Sequence, residues 1–192
     1  DCYISLKRWM TVVREHLAAR YAELRAGAAT GRAASDVQTQ AQAMRESALA
    51  AYSMYTAAGG THAPHPDASV VRPSEVPIFV VANKNDQFRN KFSSSDRRTL
   101  LQVLRFVAHY HGASLIVTSA YESSGKDTFR VLMNHVCFGV PLKPTCDVAL
   151  DHALFVTAGR DSFATILTGR GTGKGGEEDG KSILAASGSD VT

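Results

Sequence analysis

Between residues 3 and 26, apolar side chains fall at Leu6, Met10, Val13, Leu17 and Leu24, with Tyr3 and Tyr21 beside them. The spacings of three and four, with charges in the remaining turns, predict an amphipathic helix. Gly27 and Gly31 interrupt it. A second helix, rich in Ala and Gln, is predicted over 36–57 with Asp36 as its N-cap. Its apolar face (Val37, Met44, Leu49, Tyr52) is weak, which suits a surface position. Residues 58–75, with Gly59-Gly60, three prolines and His65-Pro66-Asp67, read as a loop.

The pattern then changes period. Val76–Ala82 is a continuous apolar run, as expected of a strand buried on both faces of a parallel sheet. Ser93, Ser94 and Ser95 can cap a helix over about 95–111. Ala113–Thr118 is a second apolar strand, and a helix over 125–138 should bury Phe129, Leu132, Met133 and Val136. Leu154–Thr157 reads as one more short strand, and Asp161 or Ser162 can cap a helical turn holding Phe163 and Ile166. From Thr168 onward Gly, Lys, Glu, Asp and Ser dominate, the composition of a flexible tail. Strands alternating with helices imply an α/β fold with a doubly wound parallel sheet.

Composition narrows the function classes. With 192 residues, 44% apolar, 20% charged and a net charge of +3, the chain fits one soluble globular domain plus a tail. That charge is too small, and too unclustered, for a nucleic-acid binder. No apolar run is long enough for a membrane span. Cys2, Cys137 and Cys146 lack metal-ligand spacing, and a sparse, odd count suits a reducing compartment such as the cytosol. Cys137, on an apolar helix, is expected in the core. His16, His62, His65, His109, His111, His135 and His152 form neither H-x-x-x-H nor H-E-x-x-H, so the sequence carries no metal motif. Nor is there a G-x-S-x-G elbow or a reactive-cysteine setting, so no catalytic residue is assigned. The helical pattern starts almost at residue 1, an Asp, which gives the chain the look of part of something longer.

The specific chemistry lies in Asn83-Lys84-Asn85-Asp86, an NKxD motif following the strand 76–82. In such a motif the carboxylate accepts from two adjacent N–H donors of guanine, the Lys stem covers the base, and the Asn ties the loop down. Strand 113–118 ends in Thr118-Ser119-Ala120, where a Ras-like domain places the loop whose backbone N–H meets the guanine carbonyl; Tyr121 stands where Lys is usual. Asn83, Lys84, Asp86, Ser119 and Ala120 are therefore the candidate guanine-base residues. No phosphate loop precedes them, because residues 1–82 hold no Gly-Lys pair. Gly175 to Ser182 does match G-x-x-x-x-G-K-[ST], but Glu177, Glu178 and Asp179 would repel phosphate from the cradle, and no strand precedes it.

"VLRFVAHYHGASLIVTSAYES" and "LFVTAGRDSF", with "HPDASVVRPSEVPI" and "RWMTVVREHL", resemble the light intermediate chain of cytoplasmic dynein 2 over residues 3–167. The resemblance implies a partial Ras-like, P-loop NTPase-type parallel sheet flanked by helices, without its first strands and phosphate loop. Residues 1–140 would form the carboxyl-terminal part of that domain, 141–167 an extension packing on the domain or on the heavy chain, and 168–192 a flexible tail. It implies a non-catalytic subunit that binds the dynein-2 heavy-chain tail, other dynein-2 subunits and the intraflagellar transport complex. Cytoplasm, cilium or flagellum, basal body and cytoskeleton are the implied locations. No cofactor is implied, GTP or GDP requiring the missing amino-terminal part. The alternative is a GTP-binding, small-GTPase-like switch.

Helix 95–111 bears on partners. Leu100, Val103, Leu104, Val107 and Ala108 form a stripe for the sheet, while Arg98, Gln102, Arg105 and His109 line the other side with Phe106 at its edge. That second side reads either as a solvated face or as a partner contact through Arg105, Phe106 and His109. Segment 151–167 either folds back on its own domain or docks on the heavy chain with Phe163 as anchor.

Overall fold

In the computed structural model, the described residues are 2–27, parts of 36–56, 62–74, 76–121, 123–143, 145–148 and 154–168. The tail from residue 169, with the Gly175–Ser182 motif, lies outside them, as does the Gly59-Gly60 part of the loop.

Helix α1 runs Cys2–Gly27, and the described residues between 36 and 52 are helical. A short antiparallel ladder pairs β1 (Tyr55–Thr56) with β2 (His62–Ala63). Then follow β3 (Phe79–Ala82), α2 (Asn85–Lys91), α3 (Ser94–Tyr110), β4 (Ser114–Val117), α4 (Ser123–Phe138), β5 (Cys146–Asp147), β6 (Phe155–Val156) and α5 (Phe163–Thr168). Strand β3 is shorter than the apolar run that encodes it. Ser93 caps α3: its Oγ accepts from the Asp96 amide at 3.1 Å and donates to the Asp96 carboxylate at 2.7 Å.

The described strands form a four-stranded sheet of order β3-β4-β6-β5. β3 and β4 are parallel as expected, but β6 runs antiparallel to both β4 and β5, so the sheet is mixed. The connection from β5 to β6 is too short for the crossover that parallel strands need. Register puts Val80, Leu115 and Val156 on one face, where they join Leu101, Leu104, Val107 and Ala108 of α3 and Met10 of α1. Ile116 and Phe155 point the other way, onto Leu132 of α4.

Three burial expectations are corrected. Strand β3 is not buried on both faces: it is an outer strand of the described sheet, and Val81 is 45% exposed. On α4, Leu132 is buried and Met133 packs beside it, but Phe129 and Val136 are each 39% exposed and Cys137 is exposed. Among the described residues, Ile116, Phe155 and Phe79 of the sheet pack in the cluster with Leu132 and Met133, a narrow floor for the whole stripe. On α1, Met10 is buried and Leu6 packs on the core, while Val13 and Trp9 face outward.

Candidate functional site

The parallel pairing of β3 and β4 sets their carboxyl ends side by side, with Ala82 opposite Val117. The backbone continues the match into the loops: the Thr118 amide donates to the Ala82 carbonyl at 2.9 Å, and the Asn85 amide donates to the Thr118 carbonyl at 3.0 Å. Lys84 turns the chain in the left-handed region (φ 67°), an uncommon conformation for a residue with a Cβ. Asn83 Oδ1 accepts from the Lys84 amide at 2.7 Å and from Thr118 Oγ1 at 3.3 Å, tying the two loops together.

Asp86 enters the first turn of α2, and the buried Ser119 hydroxyl donates to its Oδ1 at 2.7 Å. The Tyr121 amide donates to the same hydroxyl at 3.2 Å, which fixes the oxygen's orientation. Lys84 and Ala120 stay exposed beside this carboxylate. All five residues named from the sequence therefore meet at one end of the sheet. A held carboxylate with an exposed lysine next to it can accept from a planar pair of N–H donors.

A second polar centre lies on α3, where the sequence suggested open surface. Arg105 donates through Nε and Nη2 to both Asp161 oxygens at 2.7 and 2.8 Å, both residues being almost fully buried. His109 Nε2 donates to Asp67 Oδ2 at 2.9 Å, and the Phe163 amide reaches the same oxygen at 2.9 Å. His65 Nε2 donates to the Asp161 carbonyl at 2.7 Å, and its Nδ1 accepts from the Asp67 amide at 3.0 Å. Tyr52 meets the His65 ring edge-on at 5.2 Å between centroids. Burial lowers the His109 pKa against the pull of Asp67, and burial pushes the Tyr52 hydroxyl up to about 12.

The reading of Arg105 and His109 as open surface is thus corrected: Arg105 is paired with Asp161, and His109 is packed among His65, Asp67 and Phe163 of the same chain, while Arg98 stays exposed. Segment 154–168 folds back, with β6 in the sheet and Ile166 buried. Phe163 is half-buried, its ring 5.0 Å from Phe106 and 4.8 Å from His109; Phe106 remains 42% exposed. Ser162 and Asp161 cap α5 as expected, the Thr165 amide donating to Ser162 Oγ at 3.2 Å and Thr165 Oγ1 donating to Asp161 Oδ1 at 2.8 Å. The sequence places His65 in a Pro-rich loop with no paired carboxylate, and gives no sign that Asp67 meets it and His109 in one cluster. The only local signal was that three polar or kinked residues stand together in His65-Pro66-Asp67.

No family model matches the chain. Curated proteins do. Cytoplasmic dynein 2 light intermediate chain 1 from Homo sapiens is 39% identical over 102 residues, and that from Bos taurus 37% over 102. The Danio rerio protein of the same name is 33% identical over 105 residues. Its relatives are dynein-2 light intermediate chains. The family resemblance read from the sequence is borne out over about half of this chain. Those stretches cover 53–55% of this chain but 28–29% of the relatives, so the match spans under a third of the dynein-2 proteins' length. Among the described residues, no helix is long and apolar enough to cross a membrane.

Proposed function

We propose that this chain belongs to a non-catalytic accessory subunit of a dynein-2-type motor. In this reading it binds the heavy-chain tail and supports retrograde intraflagellar transport in the cilium or flagellum. Its α/β unit is a Ras-like domain kept as a structural platform. The observation that carries the proposal is the 33–39% identity to proteins that all bear the dynein-2 light intermediate chain name. The exposed side of α1, with Trp9 67% and Ile4 59% open, supplies apolar surface for a partner. Phe106 and Phe163 add a second aromatic edge.

The test is recovery of the dynein-2 heavy chain with tagged full-length protein from ciliated cells. Recovery that survives Asp86→Ala is expected, because no nucleotide is needed for a structural subunit. Absence of the heavy chain from the recovered complex overturns the proposal.

A second reading, a GTP-dependent switch, is favoured by one observation, the Ser119–Asp86 bond that presents the carboxylate at the loop rim. It requires GTP turnover by the full-length protein that collapses in Asp86→Ala. Hydrolysis depends on a phosphate loop and a magnesium site as well as on base contacts, so the structural-subunit reading expects no turnover.

A further inference from the structure

His65 and Asp67, two positions apart in one loop, meet His109 of α3 from 42 positions away. His65, Asp67 and His109 each offer one ligand atom, and these three atoms all lie within 4.8 Å of one another. His65 and His109 are each 3% exposed, and Asp67 is half-buried. We propose that these three residues form a binding site for a divalent transition-metal ion of the zinc class, independent of the dynein-2 reading.

Four features of the cluster support this. The first is donor chemistry: two imidazole nitrogens and one carboxylate oxygen suit zinc, cobalt or nickel and not calcium or magnesium, which take oxygen ligands. The second is the tautomer of His65. A carbonyl only accepts, so the 2.7 Å contact with the Asp161 carbonyl puts the proton on Nε2 and leaves the lone pair of Nδ1 facing Asp67. A ligating histidine whose other nitrogen donates to a backbone carbonyl is the usual outer arrangement of a metal site.

The third is spacing. Ligand atoms about 2.0–2.1 Å from a tetrahedral ion stand about 3.3 Å from each other. Here His109 Nε2 is 2.9 Å and His65 Nδ1 is 4.0 Å from Asp67 Oδ2, values on either side of that separation. The fourth is the frame. Tyr52 and Phe163 pack against the two rings, and the Phe163 amide holds the carboxylate. The rings are therefore placed by the surrounding fold, not by the ion alone.

Binding needs a small rearrangement in protons and bonds. His109 moves its proton from Nε2 to Nδ1 to free the ligating lone pair, and His65 Nδ1 exchanges the Asp67 amide for the ion. A solvent molecule entering past the half-buried Asp67 completes the fourth position. The ion then pins residues 65–67 to α3 and, through the Phe163 amide on Asp67, to the start of α5.

The test uses cobalt(II) as a spectroscopic probe on the full chain after treatment with a chelator. One-to-one saturation at micromolar cobalt is expected, with ligand-field bands of a four-coordinate site and competition by zinc. Zinc should raise the thermal midpoint, and the midpoint should go on rising with the logarithm of free zinc above the dissociation constant. Asp67→Asn keeps an acceptor for His109 and for the Phe163 amide but is a poor ligand, so affinity should fall by more than about tenfold while circular dichroism stays native. His109→Gln gives a second, independent loss. Absence of saturable binding overturns the proposal. So does binding unchanged in both variants, which would place cobalt on other histidines.

Discussion

At the scale of single residues, the buried Arg105–Asp161 pair has the largest expected effect. Arg105→Ala leaves the Asp161 carboxylate buried without its bidentate partner, and such breaks cost about 3–5 kcal/mol. Urea unfolding of the variant should show that loss, and a change under about 1 kcal/mol would mean that the pair is not closed in solution. Gly112 is a second sensitive position. It holds φ +66°, and a Cβ there would sit 2.6 Å from Pro73 Cα. Gly112→Ala should therefore cost more than the about 1 kcal/mol typical of a backbone-incompatible alanine. The guanine-loop residues were legible in the sequence because their chemistry is local: four consecutive positions and a second loop one strand away. Arg105 and His109 were misread for the opposite reason. Helical periodicity identifies one core-facing stripe, but it does not show that a segment more than 50 positions away covers the other side.

At the scale of elements, the end of α3 carries a pH dependence. Burial, aided by Arg14 and Arg72, lowers the His111 pKa to about 4, and burial also lowers that of His109. The sign follows from proton uptake. Once unfolded, both histidines titrate at their ordinary value near about 6.5, so below that pH the unfolded chain binds protons that the folded chain refuses. Stability is thus full above about pH 6.5 and falls as pH drops toward about 4, where His111 itself protonates in the fold. Thermal midpoints measured across that window should decline, and His111→Phe should flatten the decline. A slope unchanged by His111→Phe would assign the effect elsewhere.

Helix α5 is a second element whose placement decides behaviour. Phe163 joins it to Phe106 and His109 on α3, and Phe163→Ala should loosen residues 161–168 at a cost of about 1–3 kcal/mol. Hydrogen exchange at the Ile166 and Thr165 amides would report it; unchanged protection would show that the Arg105–Asp161 pair alone holds the segment. The longer elements were readable from apolar spacing, including α1, α3, α4 and the β3–β4 pair. The direction of β6 was not. Two paired residues carry too little pattern to distinguish a parallel from an antiparallel neighbour, and the short stretch of sequence between β5 and β6 leaves no room for a parallel crossover.

At the scale of the molecule, apolar surface is unevenly distributed. Leu115, Ile116, Leu132, Leu154 and Ile166 are sealed in, whereas Trp9, Val81, Phe92 and Phe138 are open to solvent. Val81 matters most because it lies on β3, whose other edge has no neighbour among the described strands. An outer strand with an open apolar side chain is a template for pairing with another chain. The expected behaviour of the 192-residue chain alone is concentration-dependent association at neutral pH. Val81→Lys places a charge on that strand at a position already 45% exposed, so its effect on folding should stay within about 1 kcal/mol. Sedimentation velocity of the two proteins at matched concentrations checks this. The lysine variant should remain monomeric where the parent chain forms larger species. If both associate equally, the β3 edge is not the contact, and the exposed side of α1 around Trp9 becomes the surface to change next.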